Sequence, residues 1–194
     1  MNPLLSIIIP AFNAERYIYK CLDSIYRSGG LNKEYSNLIE TIVVDDCSVD
    51  NTPTIVAEYI ANNGITNLYL VRHTQNRQQG AARNTGLNIA HGKYVWFVDA
   101  DDIIMPNFLL VLHNSPSLFD VDVFQFNAVA EDLNGARCSE VFLSELIENV
   151  SGKEYLEYEA NIRYENRIRA TWSKWYKREY LLNNNLFFQE GVYW

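Results

Sequence analysis

Three carboxylates crowd the end of an apolar run in "YVWFVDADDII", residues 94–104: Asp99, Asp101 and Asp102. Like charges at this spacing repel, and burial raises the cost of keeping them ionised. An oxygen-rich cluster of this kind suits a hard divalent cation. Mg2+ or Mn2+ takes one or two carboxylates and completes its shell with water and substrate phosphates. The cation's charge would remove the repulsion. An Asp-x-Asp taken alone also suits a solvated turn in which one Asp caps the next helix, so this spacing by itself leaves both readings open.

Two further clusters carry chemistry. In "VVDDCSVDNT", residues 43–52, Asp45 and Asp46 follow an apolar run. A carboxylate there can accept from a nucleobase imide or a ribose hydroxyl. The same stretch also suits a strand-end turn with Asp50 or Thr52 capping a helix. In "NRQQGAARNTGL", residues 76–87, Gly80 and Gly86 bracket a helix start that carries Arg83. Arginine is permanently charged and suits a phosphate or a carboxylate, so Arg83 can face a ligand or pair with a strand-end Asp. The chain has no G-x-x-x-x-G-K-[ST], no G-x-G-x-x-G after its first strand and no G-x-S-x-G. P-loop, standard dinucleotide-binding and serine-hydrolase readings are therefore disfavoured. His73, His91 and His113 lack metal-ligand spacing, and His91, just before Gly92, reads as a surface residue. The Trp and Tyr residues of 172–176 read as core or interface.

The elements that must hold these clusters follow from the apolar pattern. Leu4–Ile9, Ile39–Val44, Leu68–Val71 and Tyr94–Val98 are short, nearly continuous apolar runs, which is the pattern of strands buried on both faces of a parallel sheet. Helices fit between them. One is capped by Asn13 and stopped by the Gly pair at 29–30; a second begins at Thr52-Pro53 and ends at Asn63-Gly64; a third spans about 81–90. The alternation predicts an α/β fold with a Rossmann-like, doubly wound, mostly parallel sheet. Ligands bind such sheets beyond the carboxyl ends of the strands, where both acidic clusters fall. Further along, a helix from Pro106 to about Leu112, a strand over Val121–Ala130 and a helix near 152–159 are expected.

The chain has 194 residues, 48% of them hydrophobic, enough for one domain with a real core. Its net charge of −8 opposes a nucleic-acid partner, which needs a basic footprint. Three cysteines without metal spacing suggest a reducing, cytoplasmic compartment, with the inner face of a membrane as a possible place of work. The start "MNPLLSIIIPAF" reads as a buried strand rather than a signal peptide, and no window reaches the length of a membrane span.

In their order, "SIIIPAFNAERYIYKCLDSI", "IVVDDCSVDNT", "NRQQGAARNTGLNIAHGKYVWFVDADD", "MPNFL" and "TWSKWYKREYLLNNNLFFQEGVYW" resemble the motif series of family 2 glycosyltransferases. The resemblance implies a GT-A fold, a nucleotide-diphosphate sugar as donor (a UDP-sugar favoured) and inversion at the anomeric carbon. It implies a glycan or lipid-linked acceptor in cell-surface polysaccharide synthesis. It places Pro10 and Asn13 beside the nucleotide and Asp46, with Asp45 next to it, at the base. Arg83 and Asn84 fall near the diphosphate. Asp99 and Asp101 become the pair that binds ribose and the Mn2+ or Mg2+, with Asp101 and Asp102 the catalytic acids of this chain. Residues 1–112 would form the nucleotide-sugar half and 113–194 the acceptor side of a single domain. Cys47 stands where the family usually has Gly. The family's usual general base follows a segment that here reads "FFQEGVYW", so the base is expected beyond Trp194, with Glu190 a weaker candidate.

Other readings remain at this point. A nucleotidyltransferase usually carries a Gly-rich basic loop after its first strand, and "PAFNAERY" is neither. A signalling receiver would place an acidic pair after that strand, which instead ends at Pro10. An inactive nucleotide-sugar-binding module would bind donor without turnover.

Overall fold

The computed structural model describes residues 2–27, 36–105, 108, 121–126, 128–131, 137–141 and 171–192. Four parallel strands form one side of the sheet: β1 (Leu5–Ala11), β2 (Ile39–Asp45), β3 (Leu68–Arg72) and β4 (Tyr94–Phe97). Helices α1 (Ile18–Tyr26), α2 (Thr52–Asn63) and α3 (Gln78–Ile89) connect them. Two more strands, β5 (Val123–Gln125) and β8 (Lys174–Lys177), complete a six-stranded sheet of order β3-β2-β1-β4-β8-β5. β8 is antiparallel to both of its neighbours, so five strands run one way. A separate antiparallel pair joins β6 (Ala128–Glu131) to β7 (Arg137–Val141), and α4 (Arg178–Asn183) follows β8.

The unbroken apolar runs of β1, β2 and β4 have a simple cause, since each is covered on both faces, whereas β3 lies at the sheet edge and leaves Tyr69 exposed. Leu5, Ile7 and Ile9 of β1 pack with Val43 of β2 against Ile18, Leu22 and Ile25 of α1 and Val56 of α2. The intervening Ile8 packs with Ile42, Val44, Val95 and Phe97 against Ala82 and Leu87 of α3. Gly86 lets α3 lie this close, because a Cβ there would run into the Ile8 side chain. Beyond β4, Trp96 meets Phe126 edge-on at 5.1 Å and Trp175 at 5.8 Å. Trp175 is thus core, as its sequence context suggests.

Several boundaries differ from the sequence reading. The strand expected over Val121–Ala130 is two strands in different sheets, because Phe126 turns its ring into the Trp96 cluster at the point of separation. Asn13 caps no helix. Its φ is +50°, and α1 begins later, at Ile18, after a turn in which the Tyr17 and Ile18 amides donate to the Ala14 carbonyl. Helix α3 starts at Gln78 rather than near Ala81. Helix α2 ends on Gly64 at φ +60°, as "NNG" predicts. The helices expected at 106–112 and 152–159 lie outside the described residues, Phe108 excepted. Among the described residues no helix is long and apolar enough to cross a membrane.

Candidate functional site

The order β3-β2-β1-β4 reverses direction between β1 and β4, and a cleft of about 440 Å3 opens there at the strand carboxyl ends. This is the topological switch point at which doubly wound sheets bind ligands. Pro10 helps to open it. The carbonyls of Leu4 and Ile8 face β4 and accept from Tyr94 and Val98, whereas the Ala11 carbonyl faces β2 and accepts from Asp46. Pro10 therefore faces β4 with no amide proton to donate, and β4 ends at Phe97.

Five of the residues expected at a ligand line this cleft: Pro10, Asn13, Asp46, Asp99 and Asp101. Asn76 from the β3–α3 loop and Gln78 and Gln79 from the first turn of α3 join them, as do Phe12 and Tyr17 from the loop before α1. The first two loops are laced together. The Asn13 amide donates to Ser48 Oγ (2.9 Å), the Val49 amide to Asn13 Oδ1 (3.0 Å) and the Ala14 amide to Thr52 Oγ1 (2.7 Å). Asp50 accepts from the amides of Glu15 and Thr52. Asn13 and Cys47, in the loops after β1 and β2, and Gln78, at the start of α3, hold positive φ of 50°, 65° and 73°. A side chain in this region costs about 1–2 kcal/mol, which is why Gly is the easier residue at the Cys47 turn.

Asp46 is buried and held from several directions. Its Oδ1 accepts from His73 Nδ1 (2.6 Å), and both carboxylate oxygens accept from the Arg77 amide (2.9 and 3.0 Å). Asp45 lies behind it, fully buried. Its Oδ2 accepts from Arg72 Nε at 2.8 Å, while its Oδ1 has no partner among the described residues. At the far end, Asp99 Oδ1 accepts from Gln79 Nε2 (2.9 Å) and pairs with Arg83 (2.8 Å). Asp101 is exposed and Asp102 half-buried. Burial, and then the charges of Asp99 and Asp101, push the Asp102 carboxyl up to about 6.

Arg83 and Asn84 do not line the cleft. Arg83 is the fold's counter-charge to Asp99 and stacks over Phe188 at 5.1 Å. Asn84 clasps the segment after α4. Its Nδ2 donates to the Phe188 carbonyl (2.9 Å) and Glu190 Oε1 (3.2 Å), and its Oδ1 accepts from the Phe188 amide (2.9 Å). Glu190 also pairs with Arg77 at 2.8 Å. The hydrogen bond from Asn84, then that from Arg77, hold its carboxyl below the usual range.

Gln79 and the Arg77 amide carry no sequence signal of their own, and the contact of His73 with Asp46 is not readable from metal-ligand spacing. One signal was available for His73: it stands just past β3, at the same strand-end level as the acids.

A divalent cation fits this donor set only with a ligand's help. Among the described residues no group of three His, Cys, Asp or Glu side chains could hold a metal ion. Arg83 already neutralises part of Asp99, and Asp101 stands open to solvent. The mutual repulsion recorded at Asp102 is what a cation shared with a diphosphate would relieve.

Comparison with known proteins agrees with this architecture. The chain is 28% identical over 189 residues to the putative glycosyltransferase EpsH of Bacillus subtilis, a match covering 96% of this chain and 51% of EpsH. The crystal structure of S. aureus TarS 1–349 in complex with UDP-GlcNAc superposes with a TM-score of 0.74 at 28% identity, covering 97% of this chain and 49% of that one. The mannosyltransferase PcManGT of Pyrobaculum calidifontis, in complex with GDP-Man and Mn2+, matches at TM-score 0.50 and 31% identity over 57% of this chain and 31% of its own. The chain thus spans about half the length of EpsH and of that TarS structure. The profile of Glycosyl transferase family 2 matches residues 6–183, and with the switch-point cleft and its two acidic ends this makes the chain a member of that family of glycosyltransferases.

Proposed function

We propose that the cleft binds a nucleotide-diphosphate sugar, a UDP-sugar favoured, and that the sugar passes with inversion to a hydroxyl of a glycan or lipid-linked acceptor in cell-surface polysaccharide synthesis. The observation that carries this reading is the cleft's polarity. A fixed carboxylate, Asp46, lines one end and the Asp99/Asp101 pair lines the other, in a chain of this family. Relatives support it: TarS has been crystallised with UDP-GlcNAc, and PcManGT with GDP-Man and Mn2+.

In this reading Asp46 accepts from the base, while Pro10 and Asn13 border the nucleoside. Asp99, held by Arg83 and Gln79, turns toward the ribose, and Asp101 with Asp99 holds the metal. Mn2+ or Mg2+, when bound, supplies charge that stabilises the departing diphosphate. The acceptor oxygen gives its proton to a carboxylate base and attacks the anomeric carbon. The bond from that carbon to the diphosphate oxygen breaks on the opposite face. Glu190 is poorly suited to be that base, because Asn84 and Arg77 occupy its carboxylate and lower its basicity.

The test is Asp101→Ala. Its side chain is exposed and makes no part of the core. Calorimetry should show that Mn2+-dependent binding of UDP or GDP is lost while thermal unfolding stays unchanged. A mutant that binds nucleotide with the parent's metal dependence would remove Asp101 from the site.

A further inference from the structure

The imidazole of His73 is 7% exposed and touches two elements at once. Nδ1 lies 2.6 Å from Asp46 Oδ1, and Nε2 lies 2.9 Å from Thr85 Oγ1 on α3. The backbone fixes the ring from a third side, because the His73 amide donates to the Asp45 carbonyl at 2.9 Å and extends the β2–β3 ladder one residue past β3. A carboxylate only accepts, so Nδ1 must carry a proton. In the neutral ring Nε2 then accepts, and the Thr85 hydroxyl donates to it. Asp46 thus selects the tautomer, and Thr85, whose hydroxyl can donate or accept, satisfies and holds the far side of the ring.

The consequence for Asp46 is directional. Oδ1 receives two donors, His73 Nδ1 and the Arg77 amide, whereas Oδ2 receives only the shared Arg77 amide. The carboxylate is thereby pinned about its terminal torsion, with lone pairs to spare on Oδ2 and its side chain in the cleft wall. Torsional freedom removed before a ligand arrives need not be lost on binding.

We propose that His73 is a positioning residue for nucleobase recognition: with Thr85 behind it, the imidazole locks the Asp46 carboxylate in the orientation that accepts from the base of the donor nucleotide. This rests on the reading of Asp46 as the base acceptor. His73 touches no substrate in this scheme and acts through Asp46 alone.

The test uses substitutions that mimic one ring nitrogen at a time. The amide of His73→Asn can stand where Nδ1 stands and still donate to Asp46. His73→Gln projects its amide toward the Nε2 position, near Thr85. Calorimetric titrations would compare UDP, GDP and inorganic diphosphate, each with Mn2+, on the parent and on His73→Ala, His73→Asn, His73→Gln and Asp46→Ala. For whichever nucleotide the parent binds more tightly, His73→Ala and His73→Gln should weaken binding about tenfold or more, the scale of a lost hydrogen bond to a charged group. His73→Asn should stay within about threefold, as expected when that bond is kept. Diphosphate affinity should not move in any of the three. Asparagine and glutamine behaving alike, or diphosphate weakening in step with the nucleotide, overturns the positioning role, and the comparison of these two variants survives if the alanine variant does not fold. Asp46→Ala separates the two levels: if it weakens the nucleotide and no His73 variant does, the inference about His73 fails alone, whereas if Asp46→Ala has no effect the base-acceptor reading fails with it.

Discussion

Replacing Arg83 with Met keeps much of the side chain's volume and removes its charge. Arg83 is 9% exposed at the side chain and its partner Asp99 27%, so the pair is largely shielded, with Asp99 in the cleft wall and Arg83 behind it. Its loss forfeits a hydrogen bond between charged groups, roughly 1.5–3 kcal/mol when shielded, taken at the low end because Asp99 keeps some water. The contact over Phe188 adds about 0.5–1 kcal/mol. One term opposes these: Arg83 Nε is buried without a partner among the described residues, and removing it relieves a desolvation cost of about 1 kcal/mol. Asp99 is also left facing Asp101 and Asp102 with less counter-charge. The net expectation is a loss of about 1–1.5 kcal/mol before that repulsion is added, or about 2–6 °C in melting temperature for a domain of this size. Urea unfolding without metal would measure it, with Asp99→Asn and the double variant closing a cycle. The double variant should be less damaging than the sum of the two single changes, because the repulsion and the lost pair share one group. A change below about 0.5 kcal/mol in Arg83→Met, the range of an inert surface substitution, would refute the claim that this Arg secures the acidic end of the cleft.

Gly86→Ala should lower the urea midpoint, because the new methyl meets a fully buried Ile8; overpacking costs about 1–3 kcal/mol, more than the helix propensity gained, and an unchanged midpoint would contradict the close approach of α3. Glu190 has a folded pKa below its unfolded value, so its contribution is present above the unfolded pKa of about 4.3 and is lost as pH falls through the lower folded value. Hydrogen-exchange protection of the Phe188 amide, which donates to Asn84, should fall over that acidic window, and Glu190→Gln should abolish the step.

The parallel core was legible because Ile7, Ile8 and Ile9 leave no polar face and the run is short and ends at Pro10, a pattern that fits a doubly covered strand. The acidic ends were legible for the same reason: strand carboxyl ends are where such folds keep their sites. What the sequence concealed depends on contacts remote in the chain. Asn84 reaches a segment 104 residues away, and nothing in "ARN" says whether its amide faces a ligand or Phe188. Strand β8 is hidden because "KWYK" pairs antiparallel between two strands already aligned with each other, a placement set by aromatic packing on Trp96. His73 is hidden because its role is a pair of hydrogen bonds across 27 and 12 residues, not a motif.

Pro10 carries a consequence for how this cleft can move. Had the residue an amide proton on its β4 side, the ladder between β1 and β4 could lengthen by a further bond, and the chain leaving Phe97 could be drawn alongside β1. A gap made by an absent proton differs from one held open by a bulky side chain, since no rotamer change can shut it. The floor is therefore a fixed jaw. Any closing on a ligand falls to the loops that carry Tyr17, Asn76 and Asp101, while the sheet fixes the strand ends after which Asp46 and Asp99 follow.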